Sequence, residues 1–159
     1  MNQPVPEPAS VLAAAFALRP WSPRRDAWFW IAAAAAVPVL FVLRAALGPG
    51  FAPAATAAEV TRFAVIQPPL EELVFRGLIH GGLLRTAWGH GRRLGISAAN
   101  AVTTLLFCLA HVPAQGALWA GLVLVPSLVF GLLRERSGSV LPPIALHALY
   151  NAGFLVALA

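Results

Sequence analysis

Pro68-Pro69-Leu70-Glu71-Glu72-Leu73-Val74-Phe75-Arg76 reads as the start of an apolar helix that carries two carboxylates and a guanidinium among hydrocarbon side chains. The two prolines suit a helix opening, where a missing N–H costs nothing and the fixed φ is already helical. Glu72 and Arg76 stand four residues apart with the acid nearer the amino end, the favoured orientation for a helical ion pair. Glu71 projects about 100° away and lacks that partner. One acid is paired, the other is left for chemistry, and the dipole of the helix start favours a carboxylate near it.

The rest of the chain says what medium surrounds these charges. Of 159 residues, 59% are apolar and 11% charged, whereas soluble domains carry roughly 25% charged residues. The mean hydropathy is +0.77. Too little polar surface exists to cover a water-soluble fold, so the excess must face a lipid bilayer. The expected fold class is an all-α integral membrane protein, a bundle of about four to five transmembrane helices at about 20 residues each, with Pro-broken helices carrying the site.

Apolar runs and breakers place the spans at Ala27 to Leu47, Leu94 to Val112 closed by Pro113, Leu118 to Leu133, and Val140 to Leu158. A less hydrophobic stretch from Ala54 to Gln67 leads into Pro68-Pro69, and Leu70 to Leu84 completes a broken helix. Two regions follow: residues 1–26, a flexible tail with an apolar or interfacial piece at Val11 to Leu18, and residues 27–159, the transmembrane domain. The first nineteen residues lack an early positive charge and do not read as a cleaved signal peptide.

All eleven basic residues are Arg. On a soluble protein a pI near 11.4 would suggest nucleic acid, but here no RNA- or DNA-binding motif accompanies it, and the arginines end apolar runs. Arg19, Arg24, Arg25, Arg85, Arg92, Arg93, Arg134 and Arg136 fall on one side of the topology, and Arg44 and Arg62 near the other. The positive-inside rule then puts the amino terminus in the cytoplasm. Cys108 is the single cysteine and fits a small core residue, with no intrachain disulfide and no Cys-based metal site. Gly77 and Gly81 permit close helix packing.

Glu71, Glu72, Arg76, Asn100, His111, His147 and Asn151 all lie in apolar segments, where an ionised side chain costs roughly 2.5 to 3.5 kcal/mol at mid-bilayer. Asn100, Thr104, Phe107 and His111 repeat at helical spacing and share one face. His147 and Asn151, four apart after Pro142-Pro143, can donate together to one oxygen. On straight helices His111 lies nearer the outer face than His147. A structural reading makes Glu72 with Arg76 a buried pair and a membrane histidine interhelical glue; intramembrane ionisable clusters otherwise mark function. His80 and His90 lie near the basic loop and are expected to be solvated, and Ser127 lacks a Gly-x-Ser-Gly setting and reads as a packing residue. An aspartyl dyad needs two membrane Asp residues, and Asp26 is the sole Asp; a His-Glu-x-x-His zinc motif is absent.

In order, Glu71-Glu72-Leu73-Val74-Phe75-Arg76, Phe107-Cys108-Leu109-Ala110-His111 and His147-Ala148-Leu149-Tyr150-Asn151 resemble the CPBP family of CAAX-processing and bacteriocin-processing (Abi-type) intramembrane glutamic proteases. The match covers about 67–154. The resemblance implies that Glu71 with His111 activates water, that His147 and Asn151 stabilise the oxyanion, and that Glu72, Arg76 and Phe107 support them without a cofactor. It also implies a membrane-associated protein or peptide as substrate. The Arg-only, Ala-rich composition points to a bacterial inner membrane, where small relatives process leader segments, bacteriocin precursors or carboxy-terminal sorting tails. Two alternatives stay open: a zinc protease with Glu71, His111 and His147 as ligands and an open water position, and a non-enzymatic membrane immunity or scaffold protein.

Overall fold

In a computed structural model, which describes residues 16–48 and 55–158, the chain is mostly helical. Helix α1, Ala27–Leu47, starts on Asp26, whose carboxylate accepts from the Phe29 N–H at 3.1 Å and the Trp21 indole at 2.9 Å. Trp30 donates to the Pro23 carbonyl, and Arg136 lies over Trp28. Aromatic rings with a polar edge thus crowd the basic end of the bundle, as they do at membrane interfaces.

Helix α2 covers 57–83. It alternates α-helical Ala57–Val60, π-helical Thr61–Ile66, α-helical Gln67–Glu72, π-helical Leu73–His80 and α-helical Gly81–Leu83. A capping box between Thr56 and Glu59 starts it. The sequence suggests a break at Pro68-Pro69, yet the helix runs on through them. The wide turn before them absorbs the prolines: the Gln67 N–H reaches back five residues to Arg62, and π-turns of this kind concentrate at functional sites.

Arg92–Arg93 and Ile96–Ser97, strands β1 and β2, pair antiparallel around Leu94-Gly95, both at positive φ. Ser97 then caps helix α3, Ala98–Leu122, by accepting from the Asn100 N–H. The expected stop at Pro113 is not where the helix breaks. The break falls at Gly116, φ 82°, three residues on, because glycine enters left-handed backbone without a Cβ clash. Residues from Leu118, expected to begin the next span, instead finish α3, and helix α4 is the shorter Leu124–Ser137. Gly138, left-handed at φ 68°, ends α4. Helix α5, Leu141–Leu158, follows with Pro142-Pro143 in its first turn.

Helix α5 packs against α1, α2 and α4, and α3 against α4. Phe29, Phe130, Leu133 and Leu146 form a core, with Trp21 and Tyr150 beside it. The Tyr150 hydroxyl donates to Ala32 at 2.8 Å, tying α5 to α1, and Arg44 caps the end of α5 through Ala157. Most of the Val11–Leu18 piece lies outside the described residues. From Phe16 onward the chain packs on the bundle: Phe16 lies against Gly77, Ala17 accepts from the Val140 N–H, and Arg19 accepts from Ser139.

Among the described residues, two helices, Ala27–Leu47 and Ala98–Leu122, are long and apolar enough to cross a membrane. The apolar length of α5 is shorter, and α4 has 14 residues.

Candidate active site

The α-helical turn Gln67–Glu72, between its two π-turns, puts Glu71 and Glu72 on different neighbours. Glu71 Oε2 lies 3.9 Å from His111 Nε2 and 3.9 Å from His147 Nε2. It is buried and has no hydrogen-bond partner among the described residues. Glu71 Oε1 accepts from Gln67 Nε2 at 2.5 Å. Helices α2, α3 and α5 therefore each bring one ionisable group to a single oxygen, and His111 and His147 meet there despite their different expected depths.

Both imidazoles are oriented from behind. His111 Nδ1 lies 2.8 Å from the Phe107 carbonyl, and His147 Nδ1 lies 2.9 Å from Glu72 Oε1. A carbonyl and an ionised carboxylate only accept, so each Nδ1 carries its proton and each Nε2 faces Glu71. The backing differs in kind. A neutral carbonyl sits behind His111, whereas a carboxylate sits behind His147. Phe130 stacks on His147, with centroids 5.0 Å apart, and Phe107 contacts both imidazoles.

Glu72 has two partners rather than one. Besides His147 it accepts from Arg76 Nη1 at 3.0 Å, and both charged side chains are buried. Arg76 reaches further, donating from Nη2 to the Ser127 carbonyl at 3.0 Å and hydroxyl at 2.5 Å, while its guanidinium sits 4.5 Å from the Phe107 centroid. Ser127 donates to Thr104, Thr104 to Asn100, and Asn100 to the Leu128 carbonyl. Gly131 makes this approach of α3 and α4 possible, since a Cβ there would overlap the Asn100 amide. Ser127, which reads in sequence as a packing residue, is thus an anchor for Arg76. Its partner is 51 residues away, so local spacing carries no sign of it.

Asn151 does not join the Glu71 group directly. Its Nδ2 donates 2.8 Å to the Phe63 carbonyl. The π-turn explains why that oxygen is open: Gln67 N–H is used by Arg62, and the residue five beyond Phe63 is Pro68, which has no N–H. In a membrane an unpaired carbonyl costs several kcal/mol, and a neighbouring side chain commonly satisfies it.

The expectation that His80 is solvated is incorrect. His80 is buried, and its Nε2 lies 3.1 Å from Glu135 Oε1, which also accepts from Ser97. Arg92 binds Oε2 of the same carboxylate at 2.5 Å. Burial pushes the Glu135 carboxyl up, but hydrogen bonds from His80 and Ser97 and the charges of His80 and Arg92 outweigh it, leaving it below its ordinary value. Glu135 holds His80 inside and is bound in turn by Arg92 and Ser97 of the β1–β2 ribbon.

No curated protein and no solved structure shows significant similarity to the chain. The model of one family, described as type II CAAX prenyl endopeptidase Rce1-like, matches residues 53–153. That interval runs from before the Glu71 helix to just past Asn151 and includes all three converging groups, and over most of its length the chain therefore belongs to the Rce1-like family of type II CAAX prenyl endopeptidases, which makes it a membrane peptidase.

Proposed function

We propose that this peptidase is an intramembrane glutamic endopeptidase in which Glu71 and His111 activate water against a peptide carbonyl of a membrane-associated protein or peptide. The observation that carries the reading is Glu71 Oε2, buried, unbonded and 3.9 Å from two oriented imidazoles. That separation is too long for a direct hydrogen bond and fits a water at about 2.8 Å from each side. Glu71 takes the proton as the water oxygen bonds to the carbonyl carbon. His147, when it carries a proton on both ring nitrogens, donates from Nε2 to the developing oxyanion with Nδ1 held by Glu72, and Asn151 donates with the amide hydrogen that Phe63 leaves over. When the C–N bond breaks, Glu71 returns the proton to the leaving amine; the products are a carboxylic acid and an amine, and the acid then ionises by giving its proton to the amine.

The zinc alternative instead requires Glu71, His111 and His147 as three ligands of one ion, and among the described residues no three His, Cys, Asp or Glu side chains are grouped to hold a metal ion. Chelator treatment of the purified protein separates the readings. Two reporters in detergent serve, one with a farnesylated cysteine tail and one with an apolar, Arg-ended tail. Cleavage that survives chelation supports water activation by Glu71; loss restored by zinc supports the metal. Asn151→Ala is expected to lower turnover about 10²- to 10³-fold and leave measurable activity through His147. An Asn151→Ala variant with wild-type turnover contradicts its place at the oxyanion.

We further infer a single protease domain over 27–159, four to five spans and a bacterial inner membrane. A carboxy-terminal sorting tail is the substrate type we propose. The arginine distribution supports a cytoplasmic amino terminus, and a reporter fused after Gly91 is expected to score as cytoplasmic. A periplasmic score there inverts the topology.

A further inference from the structure

Gln67 stands outside the paired-acid motif, yet it donates directly to the carboxylate at the centre of the site. We infer that Gln67 is the positioning residue for the general base: by binding Oε1 it turns Oε2 toward His111 and His147. The inference rests on the reading of Glu71 as that base.

A carboxylate has two equivalent oxygens, and the torsion that exchanges them is broad and roughly two-fold. Only the oxygen that faces both imidazoles can share a water with them. The 2.5 Å bond from Gln67 Nε2 removes the equivalence, because the amide nitrogen is a donor and the carboxylate accepts. Local structure makes the bond available. Gln67 and Glu71 are four apart on the one α-helical turn between two π-turns, so their side chains lie on the same face. A π-turn at that point would rotate Gln67 away, so the Pro-marked switch from π to α at Gln67 aims both groups.

Gln67→Met keeps the length of the side chain and removes the donor. It is expected to lower kcat about 10- to 100-fold, the loss of one charge-assisted hydrogen bond, with KM within about twofold, as a residue that acts through Glu71 requires. Gln67→Glu supplies a second readout. The introduced acid donates only when protonated, so the ratio of its kcat to that of wild type should rise as pH falls, while the Met ratio stays flat. The titratable groups facing this position are Glu71 on the same helix, His111 on α3 and His147 on α5, and the ratio cancels their shared effect.

Both variants are assayed on the farnesylated-tail and apolar-tail reporters beside Glu71→Gln. Wild-type kcat in Gln67→Met overturns the inference. So does an equal, pH-independent loss in both Gln67 variants, which marks a purely structural role. Turnover by Glu71→Gln instead removes the base reading itself, so the two failures are distinct. Should Gln67→Met fail to fold, the pH response of Gln67→Glu decides alone.

Discussion

Glu71→Gln is expected to abolish cleavage while the protein stays inserted and folded. The glutamine is nearly isosteric, and burying a neutral amide at a site that is mostly enclosed costs less than burying a carboxylate. Its side chain can still bond Gln67, with the amide oxygen accepting in place of Oε1. What it cannot do is take a proton from water. Loss of the base alone accounts for about 10²- to 10⁴-fold, and the loss of charge opposite two imidazoles adds to it. Single-turnover cleavage in detergent measures the step, and a thermal melt confirms folding. Near-normal turnover in a folded variant is fatal to water activation by Glu71.

Arg76→Met is expected to act on folding first. Glu72 is completely buried and bonds Arg76 and His147 through the same oxygen. Removing the guanidinium leaves that carboxylate with an imidazole alone, and also frees the Ser127 carbonyl and hydroxyl on α4. Breaking one side of a buried pair costs about 3–5 kcal/mol, enough to unfold many domains. Removing both charges is a different matter, because well-packed apolar residues often replace a buried pair at little cost. The double variant Glu72→Met with Arg76→Met should therefore melt above Arg76→Met alone. Its activity should not return, since His147 Nδ1 then has no carboxylate behind it. A double variant no more stable than the single one would show that Glu72 is not the source of the loss.

The basic end of the bundle depends on pH in a defined direction. Glu135 is held below its ordinary value in the fold. Its contribution is present above the ordinary carboxylate range and is lost as pH falls through the lowered value. The β1–β2 ribbon, bound through Arg92 and Ser97, loosens first.

Composition by itself determined the medium: 59% apolar residues with 11% charged cannot be covered by water, so the backbone must satisfy its own hydrogen bonds where it meets lipid. Spacing determined the site residues as candidates, because i,i+4 pairs share a helix face whatever surrounds the helix. The Glu72–Arg76 pair was legible for that reason, and so were the separate aim of Glu71 and the shared face of Asn100, Thr104, Phe107 and His111. Spacing could not say which faces meet. That Glu72 also holds His147, 75 residues away, that Ser127 anchors Arg76, and that His80 is buried on Glu135 were decided by helix packing, which brings together donors and acceptors with no local relation. The π-turns were hidden as well. Two prolines signal a break, but whether a helix stops or widens depends on a partner for the carbonyls they orphan. Asn151 from α5 supplies one at Phe63, and so the tertiary structure alone decided that α2 continues and that the Glu71 bound by Gln67 faces both histidines.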